Sequence, residues 1–258
     1  LSIVFGYGTH VAGIAAGSGV SSMGEYAGIA PKVGLIGVKV LNSNGEGCSS
    51  DVLAGLQWIV DNKERYNIRI ANLSVGTNET IAFDPLVKGV EAAWDAGIVM
   101  LIAAGNNGPA PGSVTSPGVS RKVITVGASD DDRAVRIRGR IGTGNGMAKN
   151  YSGRGPTQEC IVKPDILAPG ADIVSCMSKT ASEKRAKDHE LISGSYIRMS
   201  GTSMSTPIVS GAVALLLEKC PELSPDEVKL RLKQCADDLS FPKNQQGWGL
   251  LNIERLLA

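Results

Sequence analysis

The stretch Val99-Met-Leu-Ile-Ala-Ala-Gly-Asn-Asn-Gly108 runs from continuous apolar residues straight into glycine and asparagine. A short segment that is apolar at odd and even positions alike is buried on both faces, as in a parallel sheet covered by helices. The glycine then breaks the strand, so Asn106 projects from the carboxyl edge of the sheet, where open α/β folds bind ligands. A side-chain amide at that edge is placed to donate to an oxyanion. Taken alone, the same asparagine is also a common turn residue.

Working outward, residues 35–41, 68–75, 123–128 and 173–176 are similar short, β-rich apolar runs and read as strands. Between them lie patterns with three- and four-residue spacing. Residues 51–66 carry Val52, Leu56, Ile59 and Val60, and residues 84–96 carry Leu86, Val87, Val90 and Trp94. Ser224-Pro-Asp-Glu opens another helix, with serine as N-cap, proline in the first turn and acids against the dipole. This alternation predicts an α/β fold: a doubly wound, mostly parallel sheet with helices on both faces, in three α/β/α layers. One domain over residues 1–258 accommodates it, with the charge-rich residues 179–190 as an exposed loop.

Composition narrows the partners. Among 258 residues the net charge is +1, which gives no electrostatic footprint for nucleic acid or a membrane surface. The longest apolar runs, 98–104 and 212–217, are too short to span a bilayer. The first residues lack the zones of a signal peptide. Five scattered cysteines (48, 160, 176, 220 and 235) show neither metal spacing nor a disulfide framework. Free thiols favour a reducing, cytoplasmic setting, with secretion as the alternative if further residues precede Leu1.

Two further stretches carry chemistry. Met199-Ser-Gly-Thr-Ser-Met-Ser-Thr-Pro-Ile-Val-Ser-Gly211 sets Ser203 where a glycine turn runs into an apolar helix over residues 207–217. Free backbone N–H groups and the positive dipole end there stabilise developing negative charge beside a nucleophilic hydroxyl. The bland reading is a helix cap. Gly6-Tyr-Gly-Thr-His-Val-Ala-Gly-Ile-Ala-Ala-Gly17 is a small-residue helix starting near Thr9, with His10 read as a hydrogen-bonded core histidine.

Taken together, Gly-Thr-His-Val-Ala-Gly, Ala-Ala-Gly-Asn and Gly-Thr-Ser-Met-Ser-Thr-Pro resemble the subtilisin-like serine peptidases. Gly28-Ile-Ala-Pro31, Lys39-Val-Leu41, Asn72-Leu-Ser-Val-Gly76, Lys163-Pro-Asp-Ile-Leu-Ala-Pro-Gly170 and Gly247-Trp-Gly-Leu-Leu-Asn252 extend the resemblance along the chain. The resemblance implies an endopeptidase that forms an acyl-enzyme on Ser203, with Asn106 and the Ser203 N–H as the oxyanion hole. It implies that Ser74, Val75 and Gly76 pair with an extended substrate and line the pocket before the scissile bond, with Gly45, Glu46 and Gly47 as the opposite strand. Substrates are then extended peptides or unfolded proteins, gripped by main-chain pairing. No cofactor is required. Calcium is frequent in the family, yet the loop over residues 18–26 offers Glu25 as its one carboxylate, so no metal site is expected.

Two departures set the expected activity. The family's catalytic histidine opens its motif, and that position is Tyr7; His10 matches the second, non-catalytic histidine. A tyrosine, with a reference pKa of about 10, holds its proton at neutral pH and cannot accept one from serine. Losing the histidine of such a triad costs on the order of 10⁶ in kcat, leaving roughly 10³-fold over water. The family's aspartate is also absent from the six residues ahead of Tyr7, so a separate or missing N-terminal segment is an expected partner. Hydrolysis by the chain as written is therefore not expected. A makeshift base at His189 is disfavoured. A pseudopeptidase that binds peptides or regulates is the alternative. A nucleotide-binding module, resting on Gly142-Thr-Gly-Asn-Gly146, lacks its strand–helix context.

Overall fold

A computed structural model describes residues 7–42, 47–77, 84–129, 136–137, 140–141, 151–178 and 190–258. Helix α1 (Tyr7–Ala16) leads through a 3₁₀ turn at Val20–Ser22 to an extended segment and then to α2 (Ser49–Tyr66). Strand β1 (Ile70–Leu73), α3 (Pro85–Asp95), β2 (Val99–Ala103) and β3 (Ile124–Ala128) follow in alternation. A two-residue ribbon, β4 (Arg136–Ile137) with β5 (Arg140–Ile141), precedes β6 (Ile166–Ala168). Then come β7 (Ile173–Cys176), β8 (Leu191–Ser193), β9 (Tyr196–Met199), α4 (Thr202–Lys219), α5 (Pro225–Cys235), α6 (Lys243–Gln246) and α7 (Ile253–Leu257).

The central sheet is parallel, in the order β1-β2-β3-β6, with Ile70 opposite Val99, Leu101 opposite Ile124 and Val126 opposite Ile166. Every residue of β2 and β3 is buried, as the unbroken apolar runs require of strands covered on both faces. Helices α2 and α3 pack on each other and α3 on β2, while α4 lies along β1, β2 and β3. One core joins Val52 and Leu56 of α2, Val90 and Trp94 of α3, the sheet, and Val209, Val213 and Leu216 of α4.

Helix starts follow local chemistry. Asp84 caps α3 by accepting from the Leu86 N–H at 2.8 Å, and proline follows it. Ser224 and Glu227 form a reciprocal capping box at α5, which holds the Glu227 carboxyl below its ordinary range through the Ser224 hydroxyl and N–H.

The structure corrects several readings. Residues 35–41 form no strand: they lack a ladder partner among the described residues and are largely exposed, with Val38 and Val40 leaning on Gly55 of α2. The strand at 173–176 exists but pairs antiparallel with β9 in a separate sheet ordered β7-β9-β8. The fourth parallel strand is β6, whose flanking prolines hid it in the sequence. Helix α4 starts at Thr202, so Pro207 lies inside it rather than at its beginning. The loop 179–189, residues 142–146 and the first residues of the chain lie outside the described residues.

Where β3 and β6 begin, a charged cluster is largely buried. Lys163 is fully buried, and its Nζ donates to Asp165 Oδ2 at 2.6 Å and to the Val123 carbonyl at 3.1 Å. Lys229 reaches Asp165 Oδ1 at 3.7 Å and donates to the carbonyls of Arg121, Lys122 and Val123. Burial lowers the Lys229 pKa to about 8 against the pull of Asp165, with Lys163 pushing the same way as burial. Burial likewise lowers that of Lys163. Between about pH 8 and 10.5 the unfolded chain thus holds the Lys229 proton that the folded chain has lost, so this group makes stability rise with pH. We expect about 1 kcal/mol of gain between pH 7.5 and 9 from it. Urea midpoints of the chain and of Lys229→Met at the two pH values check this; equal pH slopes would contradict it.

Candidate active site

Helix α4 carries Ser203 in its first turn, reached through Gly201 at φ 150°, a conformation open to glycine. Asn106 follows Gly105, which turns the chain out of β2 at φ +88°. The two elements meet at Thr202. Its N–H and hydroxyl both donate to Asn106 Oδ1, at 3.0 and 3.1 Å, and its hydroxyl accepts the Gly105 N–H at 3.2 Å. With Oδ1 engaged inward, the Asn106 amide nitrogen is the group left to serve the exposed rim; it lies 3.3 Å from where a Cβ on Gly201 would stand. Thr202 was not singled out in the sequence, though it belongs to the same Gly-Thr-Ser block.

Ser203 is buried except for 6% of its surface, and its hydroxyl donates to the Ser74 carbonyl at 3.4 Å. In return the Ser74 hydroxyl donates to the Ser203 carbonyl at 3.3 Å. That second bond has a cause in the helix. Pro207 stands four residues on and has no N–H, so the Ser203 carbonyl lacks its helical donor and Ser74 supplies one.

The bonds continue inward. Asn72 Nδ2 donates to Ser74 Oγ at 2.9 Å, and the Ser210 hydroxyl donates to Asn72 Oδ1 at 2.9 Å. This buried chain ties the end of β1 to two turns of α4 and so holds Ser203 over the sheet edge. Asn72 and Ser210 were missed as site residues; a polar residue within an apolar strand was the available signal for Asn72.

Ser74, Val75 and Gly76 leave β1 beside this site, with Ser74 buried and Gly76 exposed. Gly47 is exposed and approaches the Val40 carbonyl closely, at the mouth of an open groove of roughly 680 Å³ between residues 39–42 and the start of α2. Gly45 and Glu46, named with it, lie outside the described residues, as does His189.

Tyr7 is the first residue of α1. That helix packs on α4, and its Val11 and Ile14 share a core cluster with Met204, the residue after Ser203. His10 is fully buried, and its Nε2 lies 3.1 Å from both the Ile173 and Ile197 carbonyls. Two acceptors require the proton on Nε2, which makes His10 a tie between α1 and the β7–β9 pair, as a core histidine was expected to be.

No group of three or more metal-ligating side chains occurs among the described residues. In the loop over residues 18–26 the Ser22 hydroxyl bonds the Gly19 carbonyl and the Tyr26 N–H, while Glu25 is the loop's one carboxylate, a poor fit for a calcium cage. No helix of the described residues is long and apolar enough to cross a membrane.

Comparison with known proteins bears on this geometry. Serine protease AprX of Bacillus subtilis is 43% identical over 259 residues, covering 96% of this chain and 57% of the relative. The chain thus spans little more than half of that protein's length. Subtilisin DY of Bacillus licheniformis is 33% identical over 254 residues, covering 96% of this chain and 76% of the relative. Among solved structures, Sphericase superposes with a TM-score of 0.75 at 28% identity, covering 96% of this chain and 77% of that one. The sequence profile of the subtilase family matches residues 5–249, and with those relatives it makes this chain a member of the subtilase family of serine peptidases.

Proposed function

We propose that this chain is the peptide-binding and acyl-transfer body of a subtilase endopeptidase, with Ser203 as nucleophile and Asn106 with the Ser203 N–H as oxyanion donors. We further propose that, with tyrosine at position 7, it does not hydrolyse peptide bonds at a useful rate. One observation carries both parts. The Ser203 hydroxyl sits at a helix N-terminus beside an outward amide, the setting for a developing oxyanion, yet its own proton goes to a backbone carbonyl. A carbonyl oxygen is far too weak a base to take that proton, so the bonding of Ser203 among the described residues supplies no acceptor for the attack.

In the reaction that this cleft supports, an extended peptide lies along Ser74, Val75 and Gly76, with Gly45, Glu46 and Gly47 on its other side. Ser203 Oγ would attack the scissile carbonyl, whose oxygen moves toward Asn106 Nδ2 and the Ser203 N–H. The aspartate of the family's triad would come from residues preceding this chain, paired beside the edge of β1 that has no ladder partner among the described residues. The alternative, a binding module that retains the cleft without the chemistry, is favoured by Tyr7 alone.

Hydrolysis of labelled casein tests the proposal. The unaltered chain and its Ser203→Ala variant are expected to be indistinguishable from each other. Serine-dependent cleavage by the unaltered chain would overturn the inactive reading and direct attention to His189 as base.

A further inference from the structure

The buried side chains of Ser210, Asn72 and Ser74 lead to the Ser203 carbonyl in one unbroken line of hydrogen bonds, and the line has a direction. A hydroxyl has one proton to give, whereas the amide of asparagine donates at one end and accepts at the other. The Ser210 hydroxyl lies 2.9 Å from Asn72 Oδ1 and 3.1 Å from the Thr206 carbonyl, so its proton has two acceptors within reach. Each choice fixes everything beyond it.

When Ser210 donates to Asn72 Oδ1, Asn72 Nδ2 faces Ser74 and donates to its Oγ at 2.9 Å. Ser74 Oγ is then already an acceptor there, and its own proton goes to the Ser203 carbonyl at 3.3 Å. Were Ser210 to donate to Thr206 instead, the Asn72 amide would turn over, with Nδ2 on Ser210 and Oδ1 on Ser74. Oδ1 would take the Ser74 proton, and the Ser203 carbonyl would lose its donor. Helix α4 has no replacement, because Pro207 lacks an N–H and the Thr206 hydroxyl donates to the Thr202 carbonyl at 2.8 Å. A buried carbonyl without a donor bears its full desolvation cost, so the first arrangement wins, and the Ser210 proton holds it.

The consequence reaches the cleft. Ser74 opens the segment, through Gly76, along which the peptide is proposed to lie, and its hydroxyl ties that segment to the turn carrying Ser203. Ser210 itself is buried two turns further along α4, about 10 Å from Ser203 along the axis, out of reach of a peptide in the cleft.

We propose that Ser210 is a positioning residue for the peptide cleft: by holding Asn72 Oδ1 it sets the direction of the bonds that clasp Ser74 and its segment to the nucleophile turn. The inference rests on the proposed cleft and names a residue that governs its affinity from inside the core.

A double-mutant cycle read on peptide affinity tests this with the full chain and needs no turnover. The probe is an amino-terminally labelled Gly-Ala-Ser-Ala-Ala-Gly peptide, titrated by fluorescence anisotropy. Ser210→Ala is expected to weaken binding about three- to tenfold, the range for one hydrogen bond lost. In a Ser74→Ala background the same substitution is expected to change affinity by less than about twofold, because the tie that it sets is already gone. Ser210→Cys, close in size and a weak donor, is expected to act in the same direction and keeps the test decisive should the alanine variant fold poorly. A merely structural role lowers the melting temperature and leaves the affinity of the folded chain unchanged. That result overturns the inference, as does an equal loss of affinity in both backgrounds, and either one leaves the cleft standing. Failure of the unaltered chain to bind the peptide removes the cleft itself, and this inference with it.

Discussion

Replacement of Tyr7 by histidine is expected to raise serine-dependent peptide hydrolysis above that of the unaltered chain by a factor of about 10²–10⁴, the contribution of a positioned general base. With an aspartate orienting the ring, the gain rises toward the order of 10⁶ that the histidine is worth in subtilisin. The reason is the proton on Ser203, which among the described residues is donated to the Ser74 carbonyl. A neutral imidazole accepts it at pH 7, and a phenol does not. Adding Asn106→Ala to Tyr7→His is expected to lower kcat by about 10²–10³ with little change in KM, because the amide acts on charge that develops in the transition state. Active-site titration of Tyr7→His, alone and with Ser203→Ala, provides the check. Hydrolysis by Tyr7→His no greater than by the Ser203→Ala double variant would show that position 7 does not face the nucleophile.

Asp165→Ala is expected to cost about 3–5 kcal/mol of stability, the largest loss we anticipate from one side chain outside the apolar core. Asp165 Oδ2 accepts both the buried Lys163 ammonium, at 2.6 Å, and the Thr125 N–H, at 2.8 Å. Removing the carboxylate strands a positive charge that has no water to turn to and frees a backbone donor of β3. For a chain of this size the loss corresponds to a fall in melting temperature of roughly 6–9 °C. Joining Lys163→Met to it is expected to recover part of the loss, since the stranded charge is then gone. Calorimetry of the three variants decides this. A cost below about 1 kcal/mol for Asp165→Ala would mean that Lys163 is held neutral and the pair contributes little.

Where the reading of residues 35–41 as a strand failed, the cause was not local. Its composition suits a strand, but a strand exists through its ladder, and those residues have no partner among the described residues. Strand β6 escaped notice for the opposite reason. Three residues between prolines carry little periodic signal, and their register with Val126, Gly127 and Ala128 defines them. Pro207 was likewise read as the start of its helix, since proline favours first turns. Its place inside α4 became explicable once Ser74 was seen to supply the hydrogen bond that proline withholds.

The amino-acid sequence by itself determined the fold class, the family, Ser203 at the start of a helix, Asn106 at the carboxyl edge of the sheet, and His10 as a core histidine. These features are written in contiguous residues: apolar runs ending in glycine, a serine between glycine and an apolar helix, small residues around a histidine. Tertiary structure alone decided what each group touches. The hydrogen-bond chain from Ser210 through Asn72 and Ser74 to Ser203 joins residues up to 138 positions apart. Local patterns set the type of element and its buried face, because backbone and hydrophobic periodicity act over a few residues. Hydrogen bonds and ion pairs depend on positions to a fraction of an ångström, and these are settled only when the whole core packs.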